Sequence, residues 1–169
     1  ENKLNLIRRT AEALGLSIIT ARTHNASVFD AELFEKYDRV LCDVPCSGLG
    51  VLAKKPEIRH KDPTSFARLP QIQSQILDNC SRYVKPGGLL QYSTCTLSVA
   101  ENEEVVKRFL SAHDEFSPVP FSYGPVVGEE GMCTIFPDQF EQIRCDGFFV
   151  AQMRKKTSVS SAANADETD

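Results

Sequence analysis

No apolar run in these 169 residues approaches the roughly 18 that a membrane-spanning helix needs, so no membrane partner is expected. The opening residues lack a basic stretch followed by an apolar one, so no signal peptide is expected either. There is no Cys-x-x-Cys pair, and His24, His60 and His113 are scattered, so no metal site is expected. Six cysteines are too few for a small disulfide scaffold of this length. Cys42, Cys46, Cys80 and Cys95 fall in or beside hydrophobic segments, which suits a reducing cytoplasm. An overall excess of positive charge is also missing: the net charge is −4. No internal repeat and no linker divides the chain, so one domain with a real core is expected.

What is present is local. Between Val51 and Arg68, the basic residues Lys54, Lys55, Arg59, Lys61 and Arg68 face only Glu57 and Asp62. A basic patch of this kind can meet phosphates, although a solvated surface would look the same.

Apolar residues at Leu4, Ile7, Ala11 and Leu14 predict a helix over Lys3–Leu14, ended by Gly15. Leu16–Ala21 reads as a short strand, and Arg39–Asp43 as a nearly continuous apolar strand stopped by Pro45. A loop follows to Pro63. Phe66–Val84 reads as a long helix, Pro86-Gly87-Gly88 as a turn, and Leu89–Thr94 as a strand. Ser98 and Glu101 match a capping box opening a helix to about Ala112. Phe116–Val119, Met132–Phe136 and Gly147–Met153 read as final strands, and the polar residues after Lys156 as a disordered tail. Strands alternating with helices predict an α/β fold with a mostly parallel sheet that finishes in antiparallel pairing.

Two segments carry chemistry. Asp43-Val44-Pro45-Cys46-Ser47-Gly48-Leu49-Gly50 follows one strand, and Ser93-Thr94-Cys95-Thr96 ends the next. If the two strands are parallel neighbours, their C-terminal ends share the sheet edge where open α/β sheets bind ligands. Two thiols and the Asp43 carboxyl, drawn from positions about fifty residues apart, would converge there. A thiolate can add to carbon 6 of a cytosine and make carbon 5 nucleophilic. A carboxyl at ring nitrogen 3 assists the addition, and a second thiol can assist release.

Several ordered motifs then coincide. They are Asp43-x-Pro45-Cys46-Ser47-Gly48-x-Gly50-Val51, Lys54-Lys55-Pro56-Glu57-Ile58-Arg59, and Leu69-x-x-Ile72-Gln73-x-x-Ile76-Leu77. Lys85-Pro86-Gly87-Gly88-Leu89-Leu90-x-Tyr92-Ser93-Thr94-Cys95-Thr96, Glu101-Asn102-Glu103-Glu104 and Asp146-Gly147-Phe148-Phe149-Val150-Ala151 complete the set. Together, up to about Arg154, they resemble the Sun/Fmu family of RNA cytosine-5 methyltransferases, and within it the bacterial small-subunit ribosomal RNA type B.

The resemblance implies a Rossmann-like fold, S-adenosylmethionine as donor, and ribosomal RNA as partner. It implies Cys95 as the nucleophile, Cys46 as promoter of product release, and Asp43 as the contact to the ring. Asn25, Asp43 and Pro45 would touch the donor, and Lys54, Lys55 and Arg59 the RNA. Asn25 stands where the family has an aspartate. The family's glycine-rich donor loop and acidic ribose contact have no counterpart here. Residues 1–154 are therefore expected to be the C-terminal portion of a catalytic domain, inactive alone and weak toward the donor, with 155–169 a tail.

Other readings stay open. Gly48-x-Gly50-x-x-Ala53 imitates a dinucleotide fingerprint of an oxidoreductase, but Lys54-Lys55-Pro56 interrupts the helix that it should open. A DNA cytosine-5 type chemistry would make Cys46 the nucleophile. A non-catalytic RNA-binding module would use neither thiol.

Overall fold

The computed structural model describes residues 2–141 and 144–157. Helix α1 spans Asn2–Ala13, one residue offset from expectation. Its apolar stripe is only partly covered, since Ala11 is buried while Ile7 and Leu14 are exposed.

Strand β1 (Tyr37–Asp43) pairs in parallel with β2 (Val84–Thr94), bringing Asp43 opposite Ser93. Between them, helix α2 (Leu69–Ser81) makes the crossover. It starts later than the expected Phe66 because Pro70 fits only the first turn of a helix. A 3-10 turn over Pro63–Phe66, capped by the Asp62 carboxylate on the Thr64 amide, precedes it. The expected turn at Pro86-Gly87-Gly88 is instead absorbed into β2. From Tyr37↔Val84 to Arg39↔Leu89 the register advances five residues on β2 and two on β1, and Gly87 takes a φ of 81° in that irregularity.

Helix α3 covers Glu103–Ala112, and α2 and α3 contact each other. β3 (Phe116–Pro118), β6 (Met132–Ile135) and β7 (Phe148–Lys155) complete the five-stranded sheet, with β7 antiparallel to β2, β3 and β6. A separate hairpin, β4 (Phe121–Tyr123) with β5 (Val126–Gly128), was not legible in the sequence. The fold is α/β with a mixed sheet, as expected. Its balance differs from "mostly parallel": one pairing is parallel and three are antiparallel. The reason is that β7 inserts beside β2 and then serves as partner to both late strands.

The expected strand over Leu16–Ala21 does not form. Ile18 is 89% exposed, and the segment pairs with no described strand although β1 leaves one edge of the sheet open, so it gains no ladder bonds. Along β1, Cys42 is buried in the core while Leu41 and Asp43 face outward, the alternation that a half-covered strand requires. The core joins Cys42, Ile76, Leu77, Leu90, Tyr92, Val105, Val106, Phe109, Phe149 and Met153. Residues 158–169 of the expected tail lie outside the described residues. Among the described residues, no helix is long and apolar enough to cross a membrane.

Candidate active site

Parallel pairing of β1 and β2 puts their C-terminal ends side by side, and the loops leaving them carry the two cysteines. The Cys46 and Cys95 sulfurs stand 3.3 Å apart, both half-buried. Burial first, and hydrogen bonding to Cys95 second, push the Cys46 thiol up to about 12. Cys46 therefore keeps its proton at neutral pH and can donate it toward the Cys95 sulfur.

The residue following each cysteine is what ties the loops together. Ser47 Oγ and Thr96 Oγ1 are 2.7 Å apart. Ser47 also donates from Oγ to Glu101 Oε1 at 2.6 Å and from its amide to Glu101 Oε2 at 2.9 Å. Gln73 Nε2 donates to the same Oε2 at 3.0 Å and to the Pro45 carbonyl at 2.9 Å. Two acceptors on one nitrogen fix the orientation of this amide, and they leave Gln73 Oε1 buried without a partner among the described residues. Asn102 bonds Thr94 and Thr96 in turn.

Glu101 departs from its capping-box reading, and Gln73 takes a role that its motif alone does not show. Ser98 makes no side-chain cap and α3 starts only at Glu103, so the expected capping box does not exist. Glu101 is instead 3% exposed and turned toward the cysteine loop. Gln73 is fully buried and pins that loop. Both residues stand in the ordered motifs, but their inward turn toward Ser47 and Pro45 depends on burial, which is not legible in a sequence.

The loop is held from its other side by glycines. Gly50 donates to the Cys95 carbonyl at 3.0 Å, and the Gly147 amide donates to the Gly50 carbonyl at 2.8 Å. Gly48 takes a φ of 76° and leads into the 3-10 turn Leu49–Val51, so the dinucleotide-type helix does not form here.

Asp43 is exposed at the end of β1, with one long contact from Ser93 Oγ at 3.5 Å. Pro45 is exposed and gives its carbonyl to Gln73. A cavity of about 440 Å3 opens beside Cys46, lined also by Lys61, Asp62, Ser65, Phe66 and Leu69. A second cavity of the same size lies away from the thiols along α3 and β6. Its Glu103, Glu129 and Glu130 outnumber Lys107, a poor setting for phosphates.

Asn25 is not drawn into the thiol cluster. Its Oδ1 accepts from the Ser27 amide, and its loop is held by Asn79 and Gln75 of α2. Lys54 pairs with Asp146 at 2.6 Å on the surface, while Lys55 and Arg59 are exposed. Among the described residues no group of His, Cys, Asp and Glu is arranged to hold a metal.

The family model described as 16S rRNA methyltransferase RsmB/F matches residues 1–154. The chain is 42% identical over 166 residues to the probable ribosomal RNA small subunit methyltransferase B of Bacillus subtilis, covering 92% of this chain and 36% of that one. The crystal structure of PH0851 superposes with a TM-score of 0.83 at 30% identity, over 92% of this chain and 35% of that one. A methyltransferase homolog protein from Pyrococcus horikoshii superposes at 0.70 and 28% identity, over 91% and 50%. The chain thus spans about a third of the length of the curated relatives it matches. With the fold, the motifs and the family match in agreement over residues 1–154, the chain belongs to the 16S rRNA methyltransferase RsmB/F family.

Proposed function

We propose that this chain is the C-terminal part of the catalytic domain of an enzyme that methylates carbon 5 of a cytosine in small-subunit ribosomal RNA. What supports the reading above all is the 3.3 Å approach of Cys46 and Cys95 at the edge of an open cavity. The family match and the printed name of the Bacillus subtilis relative support ribosomal RNA as the substrate.

The donor, S-adenosylmethionine, supplies when bound an electrophilic methyl group on a sulfonium. Asp43 and Pro45 fit a place beside it, because both are exposed at the sheet edge and the carboxylate has acceptor capacity to spare. Asn25 holds its turn through Oδ1 and keeps its Nδ2 hydrogens for a contact to the donor.

The Cys95 thiolate adds to carbon 6 of the cytosine, and the displaced ring electrons are drawn toward nitrogen 3, which takes a proton from the acid form of the Asp43 carboxyl. With the donor bound, carbon 5 would form the new bond to the methyl carbon as the sulfonium's carbon–sulfur bond breaks, the electron pair staying on sulfur as a neutral thioether. Loss of the carbon 5 proton to solvent restores the carbon 5–carbon 6 double bond and expels the Cys95 sulfur with its electron pair. Cys46, still protonated, donates a hydrogen bond to that leaving sulfur. Lys55 and Arg59, exposed beside the loop, meet phosphates. Lys54 can exchange its surface pair with Asp146, a contact worth little in water, for the same purpose.

The test is capture of RNA carrying 5-fluorocytosine by the whole enzyme, since fluorine at carbon 5 blocks the final elimination. Cys95→Ala abolishes the adduct. Cys46→Ala keeps it, and on ordinary RNA accumulates an adduct that is not released. Capture lost in Cys46→Ala and kept in Cys95→Ala would transfer the nucleophile to Cys46. RNA binding without methylation or capture in the unaltered enzyme would favour a pure binding module.

A further inference from the structure

Glu101 is a buried carboxylate with no ion-pair partner among the described residues. Such a group is costly to bury unless its oxygens are hydrogen-bonded. Its three side-chain hydrogen bonds all serve the cysteine loop: two come from Ser47, and one from Gln73, which also holds Pro45. Because Ser47 Oγ donates to Glu101, its lone pairs are turned to Thr96, which supplies the proton of the 2.7 Å contact between them. Ser47 follows Cys46, and Thr96 follows Cys95. The backbone of Glu101 is fixed as well, with its carbonyl accepting from the Tyr92 hydroxyl at 2.6 Å.

We propose that Glu101 is a positioning residue of the two-thiol site. It orients Ser47, Ser47 engages Thr96, and the pair sets the approach of the Cys46 sulfur to the Cys95 sulfur. Glu101 touches neither thiol. This assignment rests on the functional reading above only in its consequence for catalysis; the geometric claim stands by itself.

The amide Glu101→Gln can make the same contacts. Its oxygen replaces Oε2 and accepts from the Ser47 and Gln73 N–H groups, and its NH2 replaces Oε1 and donates to a Ser47 hydroxyl turned toward Thr96. Glu101→Leu has comparable bulk and no acceptor. Ser47→Ala removes the bridge to Thr96 together with the hydroxyl bond to Glu101 Oε1, and keeps the amide bond to Oε2.

The test is the rate at which the chain forms a Cys46–Cys95 disulfide with diamide. The two thiols lose two electrons and two protons to the diazene, and the sulfurs close to about 2.05 Å. Peptide mass spectrometry reads the linkage. Glu101→Leu and Ser47→Ala slow it at least about tenfold, the order expected from ångström-scale misplacement, while Glu101→Gln stays within about threefold of the unaltered chain. Alkylation of the core thiol Cys42 reports on general folding and stays unchanged. Unaltered rates in Glu101→Leu and Ser47→Ala overturn the proposal. So does slowing accompanied by exposure of Cys42 in both variants, because the effect is then that of a loosened fold.

In the whole enzyme, Glu101→Leu retains 5-fluorocytosine capture and accumulates unreleased adduct on ordinary RNA, as Cys46→Ala does. If the disulfide rates behave as stated but the unaltered enzyme captures no RNA, the functional reading fails and the positioning role stands.

Discussion

The Gly147 amide donates to the Gly50 carbonyl at 2.8 Å, and neither residue has space for a side chain toward the other. A Cβ at Gly50 would lie 2.1 Å from the Gly147 oxygen and 2.9 Å from the Cys95 carbonyl oxygen, all of it backbone that cannot swing away. Gly50→Ala is therefore expected to destabilise the chain by about 1–3 kcal/mol or more, measured as a lower urea midpoint. It should also disturb the approach of Cys46 to Cys95, since the Gly50 amide donates to the Cys95 carbonyl. A midpoint equal to that of the unaltered chain would show that the close approach is absent in solution.

Cys46 should alkylate slowly at neutral pH. Only the thiolate reacts, and burial together with hydrogen bonding to Cys95 pushes this thiol up to about 12. The rate with iodoacetamide should climb about tenfold per pH unit and level off only near that value, well above an ordinary thiol near 8.5. The folded state holds this proton longer than the unfolded one. The associated stabilisation is thus complete below the ordinary thiol range and is lost as pH rises toward 12. A Cys46 rate that has already levelled at pH 9 would contradict the geometry.

Tyr92 is fully buried, and its hydroxyl donates to the Glu101 carbonyl at 2.6 Å. Tyr92→Phe leaves that carbonyl buried without this partner. The expected loss is about 1–3 kcal/mol in urea unfolding, with the core otherwise intact. No loss would mean that water or another donor replaces the hydroxyl.

Lys55 and Arg59 are exposed and free of ion pairs with described residues. In the whole enzyme, Lys55→Ala and Arg59→Ala should each weaken RNA binding and lower the salt dependence of the binding constant by about one unit of slope. An unchanged slope would remove them from the RNA interface.

Donor binding by this chain alone should be weak. Among the described residues no strand followed by a glycine-rich loop precedes β1, and Asn25 uses its side-chain oxygen in its own turn. Calorimetry with S-adenosylmethionine is expected to show no saturable heat at micromolar donor, and tight binding would overturn the assignment of this chain as a partial catalytic domain.

The apolar runs ending at Asp43 and Thr94, with a helical spacing between them, were sufficient to place two parallel strands and to send Cys46 and Cys95 to one edge. The motif glycines marked the loop, although not that Gly50 and Gly147 meet. Local pattern misled where a partner was needed. Leu16–Ala21 has the composition of a strand but pairs with none of the described strands, and Ser98 with Glu101 has the spacing of a capping box without its bonds.

The amino-acid order by itself determined the three helices, strands β1, β2 and β7, and which chemistry the ends of β1 and β2 carry, because their signals lie close together along the chain. Only the tertiary structure decided that Glu101 and Gln73 turn inward to hold Ser47 and Pro45, and that the two sulfurs stop at 3.3 Å. Those contacts join residues 28 to 54 positions apart, and their energies depend on burial, which exists only once the chain has closed around them.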